Sequence, residues 1–540
     1  MAARIFRRKQ PFFSPPLLSR IYNLCPYLKR WKHTCSKEGE VVRLRDITWR
    51  SIARESSYDA ATWKTLDSSS AGIMNSDISS PTWTVLKILQ CKGFDAYLVG
   101  GCVRDLLLKR KPKDFDIVTT ASLKQIKKNF HRSRVVGRRF PICHVQIRDC
   151  TVEVSSFNTT GRHVKERETT HSSQIPTNCD EKDFIRWKNC MERDFTINGL
   201  FYDPFNRVIY DYIDGIKDLK ICKMHTIIPA HLSFTEDSAR ILRGLRIAAR
   251  LGLQFSSEIT AAIHELSSSI MTLPKSRLIM ELNFMLAYGA AEPSIHLLQK
   301  FKLLEILLPF HAAYLANQTK SQPTRSSIML MDIFSNLDKV LSADRPSDST
   351  LWLALLAFHL ALLDHPQDAL VVWTFSSILY HGLWSKGMQF ARENAIYAKF
   401  VPEISTSLAT ISDESLLEEV SHLASLVKSS SIALTSNDAL QQSMARYPNQ
   451  ASRSGLILVS EKMGKNVAKL FDNLEKDIKS CDKERQKYNI DYELLKKGNH
   501  GETRFVLGKI IMDTMRAKLT REPGDIITET TGPVLSKLFL

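Results

Sequence analysis

The 540-residue chain lacks several features that would place it in common classes of protein. Its 10 cysteines include no C-x-x-C pair, so the sequence supports neither a zinc site nor a dithiol redox motif. We expect reduced thiols in a compartment outside the secretory route. The longest apolar run, Leu351 to Leu363, has 13 residues and includes His359. A membrane span needs roughly 20 apolar residues, so this run predicts a buried core helix.

Acidic residues are also missing from the start of the chain. Residues 1–37 carry nine Lys or Arg, and the first acidic residue is Glu38. No long apolar stretch follows the charges, which disfavours a secretory signal and is typical of an organelle transit peptide. We therefore expect residues 1–37 to be a transit peptide, mitochondrial in preference to plastid because serine is sparse. The alternative is a basic arm that binds nucleic acid.

The charge balance and the periodicity of the remaining chain indicate its class and organisation. A formal net charge of +17 favours a polyanionic partner, of which nucleic acid is the commonest. Residues 38–81 form a polar lead-in, and a mixed α/β unit follows over 82–225. Within it, residues 158–187 are predicted to be a long loop. Helices are predicted for almost all of the chain from about Phe234 onward, with breaks near 319–327, 342–350 and 403–450.

The most informative stretch is YLVGGCVRDLLLKRKPKDFDIVTT, residues 97–120. It predicts a strand over Ala96–Val99, a glycine turn, a helix over Val103–Leu108 and a strand over residues 115–118. Side chains alternate along a strand, so we expect Asp114 and Asp116 to project to one face. Two carboxylates on one face suit a divalent metal, Mg²⁺ or alternatively Mn²⁺, which also takes substrate phosphates as ligands.

The glycine turn completes this pattern. Gly100 and Gly101 let the backbone approach a phosphate, the following helix N-terminus favours anions, and Arg104 adds a forked donor. A glycine pair or a D-x-D alone is more often structural. The joint order of strand, turn, helix and D-x-D instead points to a nucleoside triphosphate and metal-assisted phosphoryl transfer.

These residues resemble the class II tRNA nucleotidyltransferase/poly(A) polymerase family. GGCVRDLLL…KDFD is similar to its first motif, and MERDFTINGLFYD (191–203), EDSARILRGLRIAARLGLQF (236–255) and LPKSRLIMEL (273–282) resemble later motifs in the family's order. The resemblance covers about residues 82–310. It implies an α+β architecture, in which a nucleotidyltransferase head (82–225) precedes a helical neck (226–300) and a helical, RNA-binding body and tail (301–540).

The resemblance also implies an activity and roles for single residues. The family adds nucleotides from NTPs to RNA 3′ ends, of mRNA, other transcripts or tRNA, with two divalent metals and no membrane. Asp114 and Asp116 would hold the metals, and Asp194 would be a further catalytic carboxylate. Contacts to the nucleotide are implied for Gly100, Gly101, Arg104, Arg193 and Asn198. Glu153, in the strand TVEVSSF, is an alternative metal-site carboxylate or a solvent-facing strand residue.

A helix is predicted over residues 236–250, and its side chains can be read by spacing. Asp237 and Arg240 lie three residues apart on one face, where a paired acceptor and donor would read a base edge as in the family. Arg243 and Arg246 continue this row and suit phosphate contacts. Gly244 stands where the family has alanine, at a cost of about 0.5–1 kcal/mol in helix stability. Two other departures, Glu192 and Gly199, leave every carboxylate in place.

The segment VVGRRFPICHV, residues 135–145, separates the two family activities. It resembles the signature of bacterial-type poly(A) polymerases, with a tight basic turn at Gly137, Arg138 and Arg139 anchored by Phe140, Ile142 and Val145. We therefore predict a polynucleotide adenylyltransferase that uses ATP. The alternative is a CCA-adding tRNA nucleotidyltransferase, and a more distant one is an RNA-binding protein with an inactive head.

Overall fold

The computed structural model describes residues 60–137, 141–158, 179–321, 328–394, 400, 403–405, 411–445, 457–476 and 485–516. The predicted transit peptide, the signature residues Arg138, Arg139 and Phe140, and most of the predicted loop 158–187 lie outside these ranges. The chain divides into two compact units, residues 1–62 with 174–179 and residues 63–173 with 180–540. In the first, the description covers a 3₁₀ turn, Ala60–Thr62, and Cys179. All other elements belong to the second.

An eight-stranded sheet organises the head. Its spatial order is β1-β8-β7-β2-β3-β6-β5-β4. Neighbouring strands pair antiparallel, except that β3 and β6 run parallel. The strands are β1 (Lys64–Asp67), β2 (Ala96–Val99), β3 (Asp116–Thr119), β4 (Ser133–Val136), β5 (Ile142–Ile147), β6 (Cys150–Ser156), β7 (Phe201–Asp203) and β8 (Val208–Asp211). Strand β1 pairs with β8, although its residues lie in the segment predicted to be a polar lead-in. The sequence did not predict this strand because KTLD is polar.

The head helices begin where the sequence supplies caps. The Ser79 hydroxyl accepts from the Thr82 N–H at the start of the first helix, and Ser122 forms a capping box with Gln125 at the start of the third. The helices are α1 (Ser80–Cys91), α2 (Gly101–Leu107), α3 (Leu123–Asn129), α4 (Glu181–Met191) and α5 (Gly215–Lys220). The strand–turn–helix–strand order predicted from residues 97–120 is therefore present.

Side chains on β2 alternate between two environments. Ala96 and Leu98 belong to the apolar core, whereas Tyr97 contacts the rings of Phe157 and Phe201 in an aromatic cluster. This alternation follows from the period of a strand, and it places packed layers on both faces of the sheet.

Helix α4 contradicts the last part of the loop predicted over residues 158–187, since it begins at Glu181. Asp180 caps it by accepting from the Asp183 N–H. Its inward face carries Arg186, which is buried and donates to the hydroxyls of Tyr97 and Tyr212. A charged residue in the buried stripe hides the apolar periodicity, which is why the sequence did not predict this helix.

The rest of the chain is mostly helical, which confirms the predicted fold class of an α/β head followed by helices. Short parallel pairs β9 (Lys223–Met224) with β10 (Gln254–Phe255), and β11 (Gln367–Asp368) with β12 (Ile404–Ser405), interrupt it. The helices are α6 (Ala230–Glu236), α7 (Ala239–Leu251), α8 (Ser257–Leu266), α9 (Lys275–Leu286), α10 (Ala291–Lys300), α11 (Leu304–Leu307), α12 (Pro309–Ser321), α13 (Met329–Val340), α14 (Ser349–Asp364), α15 (Ala369–His381), α16 (Trp384–Asn394), α17 (Asp413–Ala433), α18 (Asn437–Ala445), α19 (Glu461–Ala468), α20 (Asp472–Lys476), α21 (Tyr492–Lys496) and α22 (His500–Met515).

The predicted core helix is confirmed as α14, which has 13 buried residues. His359 is among them, and burial holds the pKa of its imidazole well below the usual value. Among the described residues, no helix is long and apolar enough to cross a membrane. The break predicted over 403–450 is wrong in part, since α17 and α18 occupy most of its described residues.

Gly244 lets the neck helix α7 approach the head. A Cβ at this position would lie 2.8 Å from the Cζ of Phe195, a ring that is fully buried in the motif DFTIN. The helix therefore needs glycine here, because the ring has no space into which to move. The loss of helix stability that the sequence predicts for glycine at this position is therefore offset by the close packing of α7 against Phe195.

We predict that Gly244→Ala lowers the free energy of unfolding by about 1–3 kcal/mol through overpacking, although alanine is the better helix former. Urea denaturation of the full chain measures this. Gly501→Ala in α22 is the matched control, because the nearest atom to its added Cβ is Asn499 Oδ1 at 3.4 Å. Equal stabilisation of both variants would contradict the close contact.

Candidate active site

A cavity of about 610 Å³ lies between the sheet and the neck helices. From the head it is lined by the glycine turn, the start of β3, the start of β5 and the end of α4. From the neck it is lined by α7 and by the aromatic pair Phe284 and Tyr288. The predicted site residues that line it are Gly100, Gly101, Arg104, Asp114, Asp116, Arg193, Asp194, Asn198, Asp237, Arg240, Arg243 and Arg246.

The glycine turn forms the floor of the cavity. Gly100 has φ +73°, a conformation that favours glycine, and its N–H donates to the Leu200 carbonyl. A Cβ here would lie 2.9 Å from Arg193 Nη1. The missing side chain thus makes room for the Arg193 guanidinium beside the start of α2.

The two aspartates are arranged differently from the prediction. Strand β3 begins at Asp116, and Asp114 lies in a bend before it, so the expectation that both side chains project from one strand face is wrong. The reason is topological. Leu98 pairs with Ile117, and after Val99 the partner strand β2 turns into α2, which leaves residues 114 and 115 without a pairing partner on that side. Both carboxylates nevertheless line the cavity, and the Asp114 side chain is 68% exposed.

The Asp116 carboxyl has an unusual environment. Its pKa is raised to about 6, first by burial and then by the negative charge of Glu153, whereas Arg193 opposes the shift. Glu153 is the partner of Asp116 in the parallel β3–β6 pairing, and its Oε1 lies 3.4 Å from His144 Nε2. A desolvated carboxylate with acidic neighbours is stabilised by a cation.

The donor set fits a divalent metal that also takes ligands from its substrate. Among the described residues, no group of three or more His, Cys, Asp or Glu side chains is placed to hold a metal alone. Mg²⁺ is commonly held by one or two carboxylates together with substrate phosphates. Asp114 and Asp116 supply the two carboxylates.

Asp194 is buried and fully occupied by protein donors. Its Oδ2 accepts from Arg243 Nη1 at 2.8 Å, and its Oδ1 accepts from Asn198 Nδ2 at 3.0 Å and from the Phe195 N–H at 2.8 Å. Burial alone would raise the pKa of Asp194, but Arg243 and these hydrogen bonds hold it below the usual range. Asn198 Oδ1 in turn accepts from Arg104 Nη1 at 2.7 Å. These contacts fit a carboxylate that positions other groups.

The same network continues to a second arginine of the neck. Arg104 donates from Nε and Nη2 to Asp105 Oδ1, at 2.9 and 2.7 Å. Asp105 Oδ2 accepts from Arg250 Nη2 at 2.6 Å. We call this path the head–neck chain; its members in order are Arg243, Asp194, Asn198, Arg104, Asp105 and Arg250. Both ends lie on α7, two turns apart, so the chain closes on one helix face.

The predicted helix over residues 236–250 is broken at its start. Helix α6 ends at Glu236, Asp237 is extended, and α7 begins at Ala239. Asp237 Oδ1 accepts from the Ala239 N–H, a local bond that favours a turn over a helix. Arg240 is therefore not paired with Asp237. It donates instead to Ser233 Oγ and Glu236 Oε2, both at 3.0 Å.

Several contributors were missed by the sequence analysis. Glu281 on α9 is 1% exposed at its side chain and accepts from Arg246 Nε at 3.0 Å and Arg277 Nη2 at 2.9 Å. The sequence analysis also missed Asp105 and Arg250. Asp105 could have been found as the lone acid within an apolar helix. Arg250 could have been found because it follows Arg243 by seven residues, which places both arginines on one helix face.

The described ends of the poly(A)-type signature segment lie on the antiparallel strands β4 and β5. Gly137, with φ +89°, follows β4, while Pro141 and Ile142 at the start of β5 line the cavity. Val145 is buried, as predicted for an anchor, and Ile142 is half-buried. Pro141 and Ile142 therefore share the cavity with Asp116.

Comparison with known proteins finds two protein-family models that match the head and the neck. A model of the poly A polymerase head domain matches residues 96–224, and a model of the probable RNA and SrmB-binding site of polymerase A matches residues 252–315. Poly(A) polymerase I of Haemophilus influenzae is 35% identical over 249 residues, which are 45% of this chain and 55% of that protein. Poly(A) polymerase I of Escherichia coli O6:H1 is 32% identical over 341 residues, 62% of this chain and 71% of that protein. The CCA-adding enzyme of Staphylococcus epidermidis is 27% identical over 297 residues, 55% of this chain and 64% of that protein.

We predict that Mn²⁺ binding weakens as the pH falls through about 6, because the charged form of Asp116 is lost there. Glu153→Gln removes a like charge, which lowers the pKa of Asp116 and extends binding to lower pH. Titration calorimetry of the ATP-free protein at several pH values measures both effects. Glu181→Gln, at an exposed position of α4, is the control. Weaker Mn²⁺ binding by Glu153→Gln at pH 8 would instead identify Glu153 as a metal ligand.

Proposed function

The chain belongs to the class II nucleotidyltransferase/poly(A) polymerase family, and on that premise we propose that it adds AMP from ATP to RNA 3′ ends without a nucleic-acid template. In this reaction the RNA 3′-hydroxyl attacks the α-phosphorus of ATP and loses its proton, a new phosphodiester forms, and pyrophosphate leaves. The observation that carries the proposal is one cavity in which two carboxylates, a glycine turn and a row of arginines meet.

The residues divide into two groups with different tasks. Arg243, Arg104 and Asp194 are held by the head–neck chain and shape the wall. Arg193 and Arg246 line the cavity and suit the triphosphate, because guanidinium groups bind phosphate oxygens in pairs.

The metal carboxylates lie at the head side of the same cavity. Asp114 and Asp116 would hold the divalent ions, expected to be Mg²⁺, which supply Lewis-acid activation of the attacking and leaving oxygens. The glycine turn lets the backbone approach the phosphates, and the neck helices form the opposite wall of the cavity.

Base selection is proposed for Asp237 and Arg240, which both line the cavity at its neck side. Arg240 donates from Nη1 to both Glu236 and Ser233, so contact with a base falls to its Nε and Nη2. An acceptor and a donor side by side can discriminate bases because an unmatched buried partner costs about 1–3 kcal/mol.

Adenylate addition is favoured over CCA addition by two observations. The match to poly(A) polymerase I of E. coli is longer, 341 residues at 32% identity, against 297 at 27% for the S. epidermidis CCA-adding enzyme and 199 at 34% for that of Enterococcus faecalis. The segment 135–145 resembles the poly(A) signature, and its residues Pro141 and Ile142 line the cavity. CCA addition remains the second candidate because relatives of that activity match the same region. A net charge of +17 supports RNA as the polyanionic partner of either activity.

We predict that the purified chain, supplied with Mg²⁺ and ATP alone, extends a generic RNA by an open-ended run of adenosines. CTP alone should give little product. The assay is primer extension with each NTP supplied singly, on the generic RNA and on a tRNA that lacks its CCA end. Asp116→Ala is the inactive control, and circular dichroism checks that it folds. Extension that requires tRNA, uses CTP first and stops after three additions would replace the proposal by CCA addition.

A further inference from the structure

Lys113, next to Asp114, reaches from the head to the neck. Its Nζ lies 4.7 Å from the ring centroid of Phe284 and 4.8 Å from that of Tyr288. The same nitrogen is 3.4 Å from Asp114 Oδ2. One ammonium group therefore contacts two neck rings and one of the carboxylates proposed to hold metal.

The two rings are fixed on the neck. They pack edge to face with centroids 5.2 Å apart, and the Arg246 guanidinium lies 5.1 Å from the Phe284 centroid. Glu281, three residues before Phe284 on α9, bridges Arg246 and Arg277. This bridge ties α9 to α7, so the rings form a fixed anchor point for a cation.

The Asp114 bend, in contrast, has little support from the sheet. Pairing of β3 with its neighbours begins at Asp116 on the β6 side and Ile117 on the β2 side. Asp114 is exposed, and its carboxylate would be free to take other orientations without an anchor. Metal sites need ligands held within narrow limits, so an exposed ligand on a bend requires support from elsewhere.

We propose that Lys113, Phe284 and Tyr288 form a cation–π latch that holds the Asp114 bend at the metal edge of the cavity. Lys113 is a positioning residue. Because the two rings it contacts belong to the neck, the latch makes the placement of a head carboxylate depend on docking of the neck. The metal part of this inference rests on the proposed function. The latch itself is a property of the metal-free protein.

Hydrogen exchange of the metal-free full chain tests the latch directly. In Lys113→Met, backbone amides of the bend, residues 113–116, should exchange roughly fivefold faster, because the cation–π contacts are lost. Lys113→Arg keeps a cation over the rings and should restore slow exchange. Tyr288→Leu should reproduce part of the effect, because Phe284 still contacts the Lys113 ammonium, and the double variant should exchange no faster than Lys113→Met. Unchanged exchange in Lys113→Met, or additive effects in the double variant, would overturn the proposal.

Metal binding and kinetics supply the second arm. Lys113→Met should raise the Mn²⁺ dissociation constant and the Mg²⁺ concentration for half-maximal activity by roughly fivefold, with an unchanged KM for ATP. Lys87→Met is the matched control, since Lys87 lies over the Trp83 ring at 5.7 Å on α1 and does not line the cavity. A raised KM for ATP with unchanged exchange would make Lys113 a phosphate ligand instead. If the wild type adds no nucleotide, the proposed function fails while the exchange experiment still decides the latch.

Discussion

The head–neck chain of buried charges is the constraint on which the rest of the site depends. Asp194 and Asp105 are nearly inaccessible, and a buried carboxylate is tolerated only when donors surround it. Two of those donors, Arg243 and Arg250, come from the neck helix. The head therefore leaves one carboxylate oxygen of each acid, Oδ2, without its arginine donor until α7 docks with one helix face toward it. Removing one partner of such a pair costs about 3–5 kcal/mol, which makes a shifted docking register unfavourable.

Docking of α7 creates the cavity and divides its arginines into two sets. Arg104, Arg243 and Arg250 are used within the chain, which fixes the wall and neutralises its acids. The remaining arginines of the lining, chiefly Arg193 and Arg246, share the cavity with the carboxylates Asp114 and Asp116. This separation produces a positive surface beside a carboxylate pair, as transfer of a nucleotide requires. It also explains why Gly244 must be small, since the helix can present both arginines only if it lies against Phe195.

Much of this arrangement was predictable from the sequence because it depends on local rules. The glycine turn, the alternation on β2 and the core helix α14 follow from backbone freedom and periodicity. The errors have long-range causes. The strand alternation was extended to Asp114 because the early end of β2, which removes its partner, cannot be predicted from residues 112–118. The helix through Asp237 was predicted from spacing, whereas a local side-chain bond to Ala239 breaks it. Helix α4 was missed because its buried face uses Arg186, whose partners are distant tyrosines.

A double-mutant cycle between Asp105 and Arg250, read out as ATP affinity by calorimetry, tests the account most directly. If the pair acts by docking the neck, Asp105→Asn and Arg250→Met should each weaken ATP binding by roughly tenfold, with little further loss in the double variant. If each residue instead contacts ATP on its own, the two fold-losses in affinity will multiply, which means that the free-energy changes add. That result would contradict the claim that the head–neck chain forms the site.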